Sequence, residues 1–218
     1  SRLARPMSLE TILYSFASVP MFAALSFLAA LVTALLARFG DHVPFLADSK
    51  VIQALGHAPE WFQSWTMIFA LAALAAAEVW ATKSSDVRAV MAEFDGWVKA
   101  AVSLAVSLAL IDKGTAHVIE GIQRHGLGLE SVWALAVATA TYFVALVRRA
   151  AMWIIHEVDD DDDVGLQTAL SWIESTWTVS GIFFIVIFPI AAVVLSALTA
   201  LALYALMRWK EKRDERAK

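Results

Sequence analysis

The chain has 218 residues, of which 60% are apolar and 17% charged, against ~45–50% apolar in soluble chains, and its mean hydropathy is +0.65. This composition excludes a disordered chain, and a net charge of −4 excludes a basic nucleic-acid binder. The absence of cysteine and asparagine excludes thiolate catalysis, disulfides, cysteine-ligated metals and N-glycosylation. The expected solvent is lipid.

A bilayer crossing takes about 20 predominantly apolar residues, because every backbone group in hydrocarbon must be satisfied within its own helix. Residues 11–37 form a 27-residue stretch without a charge and predict the first span. It exceeds the ~7–15 residues of a signal-peptide core, so it is expected to stay in the mature chain. Pro44, the Asp48–Ser49 pair, an apolar 51–55 segment, Gly56 and Pro59 then predict a short interfacial helix. Glu60 and Glu78 bracket a second span over 61–82. Only 12 uncharged residues separate Lys99 from Asp112, so a third span over 97–117 requires Lys99 to snorkel. A fourth, 131–147, opens on Glu130 and Ser131 and ends at Arg148 and Arg149.

The last apolar region is twice the length of one crossing. Proline starts helices and breaks their interiors, so Pro189 predicts two passes, 166–188 and 189–207, with one helix kinked at Pro189 as the alternative. Residues 208–218 form a basic cytoplasmic tail. Six passes with both termini inside place 13 of the 17 basic residues in the cytoplasm, whereas five passes give 10 against 7, so the positive-inside rule favours six. The predicted fold is an all-α polytopic transmembrane helix bundle forming a single domain, multi-pass in a bacterial inner membrane. Small residues at four-residue spacing, Ala101–Ala105–Ala109, Ser103–Ser107, Ala134–Ala138 and Ala72–Ala76, are the expected packing stripes.

At helix-centre depth a carboxylate costs on the order of 2.5–3.5 kcal/mol, so each one needs a partner, a proton or a water path. Glu174 is the first candidate, two turns into the fifth span among Trp172, Ser175, Thr176 and Thr178; otherwise 166–177 lies on the surface and Glu174 points at water. Glu78 is the second, with Lys83 as its expected counter-charge; otherwise it reads as an interfacial helix end within a Trp belt. His156, Glu157, Asp159, Asp160 and Asp161 offer hard ligands suited to a divalent cation, although an unbroken acidic run lacks calcium-loop spacing and reads otherwise as a solvated linker. His42, His57, His117 and His125 read as ordinary loop histidines. Asp95–Gly96 opens like a head-group phosphotransferase signature, but the later positions hold Lys99, Ala109, Lys113 and His117. Asp160 stands where a zinc-protease helix needs its second histidine. No enzyme signature survives.

Glu78, Val79, Trp80, Ala81, Thr82 and Lys83, followed by the segment 86–99, and later Ser171, Trp172, Ile173, Glu174 and Pro189, carry a resemblance. Over roughly Val51 to Leu206 the chain resembles the bacterial polytopic membrane-protein family called domain of unknown function 4126. It departs from that family in lacking an Asp and a Pro near Lys83 and an Arg in the first span. The resemblance implies a polytopic topology and interest in Glu78, Lys83 and Glu174, and it implies no activity.

The expectation is an ion or small-solute transporter or channel with Glu78, Lys83 and Glu174 in its pathway. The alternative is a scaffold or assembly subunit that recruits a partner through the acidic 157–163 segment and the basic tail. Expected partners are the bilayer, an ion or small solute, and either further copies of the chain or another membrane protein.

Overall fold

The computed structural model describes residues 9–83, 95–111, 129–158 and 166–216. Every regular element among them is helical. They are α1 (Leu9–Ala17), α2 (Val19–Ala24), α3 (Ser26–Phe39), a 3-10 turn (Gly40–His42), α4 (Lys50–Leu55), α5 (Trp65–Lys83), α6 (Asp95–Ile111), α7 (Leu129–Val158), α8 (Leu166–Ile187) and α9 (Pro189–Arg216). Three stretches are long and apolar enough to cross a membrane, Trp65–Thr82, Val132–Arg149 and Ala169–Ile187; Leu9–Ala24, Trp97–Ser107 and Pro189–Thr199 are shorter apolar helices. The all-α expectation therefore holds as a helical bundle, while the described helices that meet the crossing length number three rather than six.

The helices are inside out by the standard of a protein in water. Phe69, Trp80, Trp97, Leu135, Phe143 and Ile173 are exposed, while Glu78, Lys99, Ser103, Thr141 and Thr178 are buried. A helix in water turns its polar face outward. α6 shows the inversion best, burying Lys99, Ser103, Val106 and Ser107 and turning Ala101 and Ala105 out. Of the two stripes expected on this helix it is thus the serine one that packs, with Ser103 Oγ 2.9 Å from Thr141 Oγ1 of α7. Ala134 and Ala138 pack inward as expected, whereas Ala76 of α5 faces out and Ala75 is buried in its place.

The largest departure is in 11–37. One straight helix would set Tyr14 and Thr33 about 28 Å apart, yet Tyr14 Oη and Thr33 Oγ1 hydrogen-bond at 2.6 Å. The expected single span is instead a hairpin. α1 and α2 run inward, the chain reverses at Leu25 in an extended conformation (φ −135°, ψ 90°), and α3 returns. At its open end Arg38 donates to the Gln63 carbonyl at 2.6 Å and stacks over Trp65. At its tip Ser26 meets Glu78, so α3 and α5 run antiparallel.

Each break frees backbone groups that a distant side chain then satisfies, which is how neighbouring helices keep irregular backbone tolerable in an apolar surrounding. Around Pro20 the Met21 amide bonds the Ser18 carbonyl, leaving the Ala17 carbonyl to accept Ser196 Oγ of α9 at 2.8 Å. Between α8 and α9, Phe188 is the only residue outside a helix, and the Val186 carbonyl accepts Ser49 Oγ at 2.7 Å. That bond holds the end of α8 near the start of α4. Ser196, seven residues into α9, has already reached Ala17, which is about 10 Å along α1 from Glu10 beside α4. α9 therefore folds back beside α1, so 166–207 is two helices and not one kinked helix.

The short helix predicted at 51–55 is present as α4, docked through Val51, Ile52 and Leu55. Its approach is close, because a Cβ on Gly40 would lie 2.7 Å from Ile52 Cδ1. α7 does not stop at 147 but runs to Val158, placing Arg148 and Arg149 well inside a 30-residue helix.

Candidate functional site

A helix start leaves its first amides without intrahelical partners, and a capping side-chain oxygen normally takes one of them. Leu25, which precedes α3, has no such oxygen. Glu78, 52 residues on, does the capping from α5. Its Oε1 accepts the Ser26 amide at 2.7 Å and the Ser26 hydroxyl at 3.1 Å. Its Oε2 accepts the Phe27 amide at 2.9 Å and the Leu28 amide at 3.1 Å. The first intrahelical bond of α3 follows, Ala29 N–H to the Leu25 carbonyl. A hydrogen bond to a charged group contributes about 1.5–3 kcal/mol. Four together exceed the insertion cost of about 2.5–3.5 kcal/mol for one carboxylate, which is why Glu78 can sit 8% exposed.

Two positive sources face this carboxylate. One is the N-terminal end of the α3 dipole. The other is Lys99 of α6, which is 3% exposed and interacts electrostatically with Glu78. Snorkelling was the sequence expectation for Lys99, and its burial overturns that. The pairing of a buried charge with a buried countercharge removes the need to reach water. Lys83, expected as the counter-charge, is the last residue of α5. Five residues of helix place its Cα about 140° round from Glu78, outside the three- and four-residue neighbours that meet on a helix face.

Glu174 is in an ion pair. Arg148 Nε donates to its Oε1 at 2.6 Å and a terminal guanidinium nitrogen to its Oε2 at 2.5 Å, a bidentate fork between α7 and α8. Both side chains are more than four-fifths buried. One turn earlier on α8, Ser171 Oγ lies 3.0 Å from Thr82 Oγ1, tying the end of α5 to the start of α8. One turn later, Thr178 is fully buried and its hydroxyl has no hydrogen-bond partner.

The metal-ligand cluster is not assembled from described residues. His156 and Glu157 fall in the last turn of α7, and Asp159, Asp160 and Asp161 lie outside the described residues. No group of three metal-ligating side chains occurs among the described residues. His117 and His125 also lie outside them. His42 contacts Asp41, and His57 bonds the Gln53 carbonyl, both exposed. A shallow crevice too tight to hold a water molecule lies elsewhere, between α1 and α4, lined by Glu10, Tyr14 and Leu55 among others.

Sequence reasoning missed Lys99 and Arg148 as partners, and it missed the break at Leu25. The only local signal for the break is Ser26, a cap-forming residue in an otherwise apolar run. Compared with protein-family models, curated proteins and solved structures, the chain matches none of them.

Proposed function

We propose that the chain is a multi-pass protein of a bacterial inner membrane that moves an ion or small solute, with Glu78 and Glu174 as pathway carboxylates. The observation that carries this reading is the reversal at Leu25, where three amides of an internal helix start converge on a carboxylate. In hydrocarbon, extended backbone persists only where protein covers it or it lines a water-filled path. Transporters build their sites at such broken helices, with half-helix N-termini turned toward anionic groups. Lys99 takes the counter-charge role expected of Lys83. The resemblance to the domain of unknown function 4126 family is in keeping with a polytopic bundle.

The hairpin enters and leaves at one end of the bundle, so the proposed crossings are α5, α6, α7, α8 and α9. Lys83, Arg148, Arg149, Arg208, Lys210, Lys212, Arg213 and Arg216 then lie toward one end, and Arg38 and Lys50 at the other. The positive-inside rule puts the end of α9 in the cytoplasm and the start of α1 on the opposite side, instead of both termini inside. Exposed Trp65 and Trp80 are 15 residues apart on α5, about 22 Å, a spacing suited to two interfacial aromatic belts.

The test is flux in proteoliposomes holding dyes for protons, sodium, potassium and chloride. The expected result is flux above empty liposomes that Glu78→Gln and Glu174→Gln largely remove. Absence of flux for all four ions, with partner capture that depends on residues 159–163, would replace this reading with the scaffold.

A further inference from the structure

Glu78 does more than pair with a cation. It is the one side chain whose oxygens receive all three leading amides of α3, and so it holds the tip of the α1–α3 hairpin against α5. The arrangement consists entirely of donors pointing at two acceptor oxygens. We propose that Glu78 is a proton-operated latch, in which the ionised carboxylate holds the hairpin tip and the protonated one releases it.

The chemistry follows from the donor count. A carboxylate is an acceptor only, whereas a carboxylic acid carries a donor of its own. Protonation removes the charge that four hydrogen bonds share and places an O–H where the surrounding amides can offer it nothing. Ser26 Oγ, 3.1 Å away, is the single neighbour in that cradle able to turn from donor to acceptor. The charge balance changes in the same direction. With Glu78 ionised, one anion faces both Lys99 and the positive end of α3; with Glu78 neutral, that attraction is lost.

Among the described residues the other charged groups near the site are few: Asp95 opens α6 one turn before Lys99, and Lys83 ends α5. α2 contains no ionisable residue, and the only one in α3 is Arg38, at the far end of that helix. α8 brings Glu174, which is held by the Arg148 fork from α7. The hairpin is joined to α9 through the Ser196 bond to Ala17, so movement of its tip would be felt there.

This inference shares Glu78 with the transport reading but does not need transport to be tested. The full chain in nanodiscs is examined by hydrogen exchange at the Ser26, Phe27 and Leu28 amides, with protection corrected for the intrinsic rate at each pH. Protection should fall about tenfold or more between pH 8 and pH 4. In Lys99→Met the carboxylate loses one of the two positive groups that face it, so the pH of release should move by about one unit. Glu78→Gln should show low protection at every pH. A flat profile in the unmodified chain would overturn the latch. So would an unshifted midpoint in Lys99→Met, or a pH dependence abolished by Glu174→Gln and kept in Glu78→Gln. A latch that passes in a chain without flux would leave the switch standing and remove the transporter.

Discussion

The bundle contains two reversals built alike, and they are secured by different chemistry. At Leu25 and at Phe188 a single residue leaves the helix, its amide still bonds four residues back, and its carbonyl still accepts from four residues on. At Phe188 the next residue is Pro189, which has no amide to satisfy, so the helix start presents one amide fewer, and the Ser49 hydroxyl donates to the Val186 carbonyl on the other side of the break. At Leu25 the next three residues all present amides, and a hydroxyl offers too little acceptor capacity for them. A carboxylate with two oxygens matches the demand, and its charge then requires Lys99. Proline at the start of a helix thus lowers the number of amides that the rest of the bundle must satisfy. Its absence makes the other reversal depend on two distant helices.

That contrast can be broken most forcefully with Glu78→Ala. Four donors would lose their acceptor and Lys99 a facing carboxylate, at a cost on the order of 3–5 kcal/mol, measured by unfolding in detergent; a cost near that of a surface substitution would mean the tip is held some other way. Ser49→Ala removes one neutral bond to the Val186 carbonyl, and the same measurement should show a loss of about 1 kcal/mol. The smallest effect belongs to Pro189→Ala, about 0.5 kcal/mol through greater freedom of the unfolded chain. A loss at Pro189 as large as that at Glu78 would show the two reversals to be equally dependent on their sequence markers.

Legibility followed the same division. Pro189 announced a break from within the chain, and the helices on either side of it fall within a residue of the expected boundary. Nothing between Ala23 and Ala30 except Ser26 announced the other, because the group that satisfies it is Glu78, two helices away in the chain. Glu78 and Glu174 stand out as costly charges, and both are in polar contact, Glu78 buried and Glu174 partly so. Their partners did not stand out. Lys99 was read by the cost of its charge, which snorkelling could have met, and Arg148 as the end of a span that in fact continues through it. The alanine and serine stripes of α6 had equal spacing, and only packing against Thr141 decided which faced inward.

Composition determined that the chain is helical and apolar on its outside, since residues this apolar have few other ways to satisfy their backbones together. Charge-free lengths determined where most helices lie. The direction of the chain at Leu25 and Phe188, and the pairing of Glu78 with Lys99 and of Glu174 with Arg148, were decided only by tertiary structure. Hydropathy accumulates along a chain and can be summed from it, whereas a hydrogen bond or an ion pair forms across space, between groups whose separation in sequence says nothing of their distance.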